Sequence, residues 1–202
     1  TMGNISGAYD AATGVMTLTS AGNTATLAQW QAALRAVSYN NSSDNPTTAA
    51  RTVSYTVNDG STNGNTVTST VNVTAVNDAP VLATGSTLAY TENNAATPIN
   101  TVITVADADS TNLASATVAI TAGFNSAQDV LSFVNVGMGN IAGVYNATTG
   151  VMTLTSAGNT ATLAQWQAAL RAVSYSNSSD NPTTAARTVS YTVNDDIVDG
   201  NT

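Results

Sequence analysis

The sequence predicts an all-β protein made of tandem Greek-key β-sandwich units, each with one short helix. Three observations lead there: an internal repeat, many short segments alternating apolar and polar residues, and abundant Val and Thr with only 8% charged residues. Residues 1–66 realign with 137–202 at a constant offset, and 56 of the 66 pairs are identical. Gly14 to Ser20 returns as Gly150 to Ser156, and Trp30 to Arg35 returns as Trp166 to Arg171. A fixed period means that one structural unit is used more than once. The expected division is 1–76 as the C-terminal part of one repeat, 77–80 as a linker, and 81–202 as a second repeat lacking its last strand. Thr1 opens in mid-motif, so a fragment of a longer array is expected.

Strands are read from period-two alternation. In 66–76, Val67, Val71 and Val73 share one face, with Thr68, Thr70 and Asn72 on the other. Further strands are expected at 84–90, 98–106, 115–121, 130–136, 150–155 and 187–193. Many short strands in series without long helices indicate a sandwich. One segment departs from this pattern. Within 26–37, Leu27, Trp30, Leu34 and Val37 recur at helical spacing, and Thr26 with Gln29 forms a capping box. Thr162, Leu163, Gln165, Trp166 and Leu170 repeat it. The helix is expected to cover an open end or side of the sandwich, with its Trp anchored in the core. A sandwich without its last strand leaves unpaired backbone groups along an edge. Other copies of the chain are thus candidate partners, each donating a 67–76 strand.

Composition excludes several functions. There is no Cys, His or Lys, and the four basic residues are Arg35, Arg51, Arg171 and Arg187. Disulfides, thiolate metal sites, imidazole catalysis and Schiff bases are therefore absent from the chemistry available. With a net charge of −8, nucleic acid is not an expected partner, because phosphate contact needs Lys and Arg. No apolar run approaches the roughly 18 residues of a membrane span, so no membrane insertion is expected. An i,i+2 acidic pair at a turn provides neither pocket nor matched acid and base for hydrolysis. The chain is read as a non-enzyme.

The twelve acidic residues carry the functional signal. Most fall in short loop motifs: Ser43-Asp44-Asn45-Pro46, Val57-Asn58-Asp59-Gly60, Asn77-Asp78-Ala79-Pro80, Thr91-Glu92-Asn93 and Asp107-Ala108-Asp109, with Asp180 and Asp195 in the second copy. Carboxylates beside amides and free carbonyls are the hard oxygen donors that Ca²⁺ selects. Taken singly, such motifs are also ordinary Asx turns.

In order along the chain, these motifs resemble the cadherin repeat. Thr91-Glu92-Asn93 is similar to its Pro-Glu-Asn motif, and Ala106-Asp107-Ala108-Asp109 to its Asp-Ala-Asp motif. Val193-Asn194-Asp195 and Val57-Asn58-Asp59-Gly60 resemble its Ala-x-Asp-x-Gly motif, and Val76 to Pro80 resembles its linker. Thr91 stands in place of Pro, Ala75 in place of the linker's first Asp, and the Asp-Arg-Glu motif is missing. The long period and the Trp-bearing helix make the chain more similar to the cadherin-like repeats of giant bacterial surface adhesins. The resemblance implies cadherin/Ig-like units with Ca²⁺ at each junction. Asn77, Asp78, Asp107, Asp109, Asn112 and Asp195, with Asp44 of the preceding repeat, would serve the central junction. Glu92 and Asp180 would serve the opposite pole, and Asp59 the equivalent motif of the first copy. The implied role is a Ca²⁺-stiffened spacer in a secreted or cell-surface adhesin or biofilm-matrix protein, partnered by neighbouring repeats. Two alternatives stand beside it: a self-assembling filament or surface layer completed by strand donation, and a glycan-binding module using exposed Trp30 and Trp166.

Overall fold

The computed structural model describes residues 1–202 and divides into two compact units, Thr1–Ala75 and Val76–Thr202. The division falls after Ala75, so residues 76–80, read above as the end of one repeat and a linker, pack with the second unit. The first unit contains β1 (Ile5–Asp10), β2 (Val15–Ser20), α1 (Leu27–Arg35), β3 (Arg51–Tyr55) and β4 (Val67–Val71). β1 pairs antiparallel with β2, and β3 with β4.

The second unit adds β5 (Val81–Ala83), β6 (Thr97–Pro98), β7 (Thr104–Ala106), β8 (Ser115–Ala122), β9 (Asp129–Ser132), β10 (Ile141–Asn146), β11 (Val151–Ser156), α2 (Leu163–Ala172), β12 (Ser174–Asn177) and β13 (Thr188–Asn194). A four-stranded sheet in the order β10-β11-β8-β13 faces the core with a three-stranded sheet, β6-β12-β9, and a short β5-β7 pair. All pairings are antiparallel. Alternation builds the core: β8 turns Ala116, Val118 and Ile120 inward, β11 turns Met152 and Leu154, and β13 turns Tyr191 and Val193. Leu131 of β9 and Tyr175 of β12 meet them from the other sheet in one continuous cluster. The protein is thus an all-β sandwich with two short helices.

The hairpin register is copied between the units. Ile5 opposes Ser20 and Asp10 opposes Val15, as Ile141 opposes Ser156 and Asn146 opposes Val151. Gly14 and Gly150 close these hairpins at φ 71° and 72°, where a Cβ would be strained.

Both helices begin with the expected capping box. Thr26 N–H donates to Gln29 Oε1 at 2.9 Å and Gln29 N–H to Thr26 Oγ1 at 3.3 Å; Thr162 and Gln165 repeat both bonds. α2 lies over residues 103–113. Trp166 is fully buried and its indole N–H donates to Leu113 O at 2.9 Å. Arg171 Nε donates to Ile103 O at 2.8 Å, and Val105 N–H donates to Gln167 Oε1 at 3.3 Å. Trp166 is therefore a core anchor with no face for a sugar, while Trp30 is half-buried.

Four expected strands differ from the observed ones, and the first, 66–76, pairs only over Val67–Val71. Residues 84–90 enter no ladder, and the strand begins earlier, at β5. The 98–106 segment is split into β6 and β7, because Asn100 turns inward there: its Oδ1 accepts the N–H groups of Val102 and Ile103. The 130–136 segment stops at Ser132, after which Asn135 closes a turn by accepting Met138 N–H. β10 and β12 were not among the expected strands; Gly143 interrupts the alternation of the first, and polar Ser and Asn dominate the second.

Candidate metal centre

β7 ends at Ala106, and Asp107 builds the next turn. Its Oδ1 accepts the N–H of Asp109 at 3.0 Å and of Ser110 at 2.7 Å. That Asx turn leaves Asp107 Oδ2 buried with no hydrogen-bond donor, beside a second carboxylate, Asp109. Burial pushes the Asp107 pKa up, and the Asp109 carboxylate adds to the rise against the two turn N–H groups. Asp109 Oδ2 accepts the Asp78 N–H at 3.2 Å, which ties the segment entering the unit to this turn.

Asp195, just beyond β13, meets the same segment. Its Oδ1 accepts the N–H groups of Ile197 at 2.8 Å and Val198 at 2.7 Å, and its Oδ2 accepts the Asn77 amide at 2.7 Å. Burial opposes its charge, yet Val198 N–H, the Asn77 amide and Ile197 N–H together hold its pKa below the ordinary value. Asn77, Asp78, Asp107, Asp109 and Asp195 are thus brought together from the entering segment, the β7–β8 turn and the end of β13. As they stand, no three acidic side chains are arranged to hold one ion.

Two further residues clamp this region. The Asn201 side chain accepts Leu82 N–H at 2.7 Å and donates to Leu82 O at 2.9 Å, imitating a ladder pair. Gly200 lies against Pro80 so closely that a Cβ would stand 2.1 Å from Pro80 O. The first and last segments of the unit are therefore fastened beside the acidic turn.

Each of the other candidates is placed within its own unit. Asp59, the repeat equivalent of Asp195, is exposed, and its Oδ1 accepts Ser61 N–H at 2.9 Å and Thr62 N–H at 2.8 Å. Asp44 of the first unit is exposed, as are Glu92 and Asp180 of the second, and these two make no hydrogen bond to residues 76–80. Asn112 pairs with Thr162 at the start of α2.

No family model and no solved structure matches the chain. The chain is similar to Halomucin of Haloquadratum walsbyi. The two are 35% identical over 130 residues, which make up 62% of this chain and 1% of Halomucin. The matched segment therefore spans a very small part of that protein.

The acid with the richest set of partners is one that loop-motif reading passes over. Asp129 opens β9 with its side chain fully buried. It accepts from the Tyr175 hydroxyl, from Asn177 Nδ2 at 2.6 Å and from Asn125 N–H at 2.8 Å, and pairs with Arg187 Nε at 3.4 Å. Its sequence signal is parity: Asp129 stands two residues before Leu131, on the inward face. The acid is structural, joining β9 and β12 to the start of β13. Of the Arg residues, Arg187 pairs with an Asp and Arg171 covers the β7 end.

Proposed function

We propose that the chain is a spacer segment of an extracellular surface protein, in which Ca²⁺ bound at the entry of a repeat stiffens the array. The likeness to Halomucin supports the surface-protein part of this reading. No helix is long and apolar enough to cross a membrane. The observation that carries the Ca²⁺ part is Asp107 Oδ2, buried without a donor beside a second carboxylate. A buried polar oxygen without a partner is costly, and two adjacent carboxylates repel. A hard cation removes both costs, and the oxygens of Asp107, Asp109, Asp78 and Asp195 are of the type it prefers.

In this reading Asp107 and Asp109 are the primary donors. Asp195 reaches the ion by exchanging the Asn77 amide, and Asn77 and Asp78 add oxygens from the entering segment. Binding to the folded form alone would stabilise the unit by mass action, about 2.7 kcal/mol at a hundredfold excess over Kd. Buried Trp166 disfavours the glycan-binding alternative.

Thermal unfolding with millimolar Ca²⁺, with Mg²⁺ and with chelator tests the proposal. A rise in Tm of several degrees is expected with Ca²⁺ and not with Mg²⁺, and it should vanish in the Asp107→Asn, Asp109→Asn double variant. A double variant more stable than the parent in chelator, with no Ca²⁺ effect in either, would leave the motifs as turn chemistry and sink the proposal.

A further inference from the structure

The second unit holds two Asn-x-Ser/Thr tripeptides, the acceptor sequence for N-linked sugar: Asn146-Ala147-Thr148 and Asn177-Ser178-Ser179. The fold treats them oppositely. Asn177 is 5% exposed, and its Nδ2 donates to the buried Asp129 Oδ1 at 2.6 Å. No sugar can reach that nitrogen while the core is intact. Asn146 stands at the tip of the β10–β11 hairpin, where residues 146–149 are all exposed. Its Oδ1 accepts the N–H groups of Thr148 at 3.0 Å and Thr149 at 3.3 Å, and its carbonyl accepts Gly150 N–H at 2.9 Å. The side chain is held by its oxygen alone. Its Nδ2 and the Thr148 hydroxyl make no hydrogen bond.

Turn chemistry does not account for these residue types. The equivalent tip of the first unit is Asp10-Ala11-Ala12. It closes in the same way: Asp10 Oδ1 accepts Ala12 N–H at 2.9 Å, and Asp10 O accepts Gly14 N–H at 2.8 Å. The turn thus needs a side-chain acceptor at its first position and requires neither an amide nor a hydroxyl. Both are present in the second unit, and both are what an N-glycosyltransferase reads.

We propose that Asn146 is an N-glycosylation site, taking its sugar outside the cytoplasm from a lipid-phosphate-linked donor. Transfer breaks the bond from the sugar C1 to the donor's phosphate oxygen and forms a C1–Nδ2 bond. One Nδ2 proton passes to a base of the transferase, and the lipid phosphate leaves. The N–H groups on Oδ1 favour this step, because they stabilise the negative charge that the amide oxygen gains as Nδ2 gives up its proton. The product keeps the turn, since attachment uses the one polar side-chain atom that the turn leaves free. A glycan there covers the hairpin tip with a bulky, solubilising group. This inference rests on the surface-protein part of the reading above.

The test is peptide mapping by mass spectrometry of the protein taken from the cells that make it, with fragmentation that retains sugars on side chains. Sugar is expected on Asn146 and none on Asn177. Asn146→Asp installs the residue with which the first unit closes the same turn, so the hairpin should persist while the sugar is lost. Thr148→Ala should cut occupancy at least tenfold, and Thr148→Ser should keep it. Protease shaving of intact cells from the same cultures separates this inference from the reading beneath it. A chain released by shaving with Asn146 bare, or with sugar on Thr148 instead, overturns the glycosylation site and leaves the surface reading standing. A chain found only inside the cells, with Asn146 bare, overturns both.

Discussion

Asp59 and Asp195 occupy the same place in an identical nine-residue segment, and each accepts two N–H groups of the following turn. Asp195 has a further partner in the Asn77 amide, which donates to its Oδ2, and it is buried where Asp59 is exposed. A turn motif thus becomes a site residue through one neighbour distant in sequence. The buried Asp129 shows the opposite case, an acid committed to structure. Burial opposes its charge, while the Tyr175 hydroxyl, Asn125 N–H, Asn177 amide and Arg187 hold its pKa below the ordinary value. Removing one member of a buried charged network leaves the others desolvated without a partner. Asp129→Ala should therefore cost about 3–5 kcal/mol in chemical denaturation of the second unit. The first unit should melt unchanged, since the side-chain partners of Asp129 belong to the second unit, and Arg51 keeps the carbonyls of Thr47 and Ala49 just as Arg187 keeps those of Thr183 and Ala185.

At the scale of elements, the two helices are a matched pair in different surroundings. Their capping boxes are the same to a tenth of an ångström, because the cap depends only on residues three apart. Their packing is not the same. Trp166 is fully buried against Leu113, whereas Trp30 is half-buried and Leu27 is 89% exposed. Deleting a packed Trp removes its transfer energy and leaves a cavity. Trp166→Ala is expected to destabilise by about 3–5 kcal/mol, and Trp30→Ala by less than half of that. Separate unfolding transitions followed by tryptophan fluorescence of each single-Trp variant would measure both. α2 also holds β7 through Arg171 and Gln167, so the turn bearing Asp107 and Asp109 should loosen in Trp166→Ala.

For the whole second unit, three carboxylates set the pH response in opposite directions. Asp107 has a raised folded pKa, so its cost is full at neutral pH and fades as pH falls through the folded value towards the ordinary 3.8. Asp129 and Asp195 have lowered folded values, so their contribution is complete above 3.8 and is lost as pH falls below it. In chelator, stability should rise modestly on acidification from neutral pH, then fall steeply once pH drops below the ordinary carboxylate value. Asp107→Asn should remove the rise and keep the fall. Urea titrations at half-unit pH steps would read both limbs; a monotonic fall in the parent chain would contradict the account of Asp107.

Local chemistry was legible in the sequence: the repeat and its offset, the capping boxes, most core strands, and the acidic turns as turns. These depend on residues within a few positions of each other, so the chain alone specifies them. What needed the tertiary structure was pairing. Ser38–Asn41 matches Ser174–Asn177 in three of four residues, yet only the second is a strand, β12, because β9 is there to pair with it. Residues 84–90 have strand alternation and no ladder, for want of a partner. The candidate donors follow the same rule: sequence order suggested Asn77, Asp78, Asp107, Asp109 and Asp195, and folding alone brought these residues together from three distant segments. A strand or an ion site is a relation between segments, and its energy comes from groups that only the fold makes neighbours.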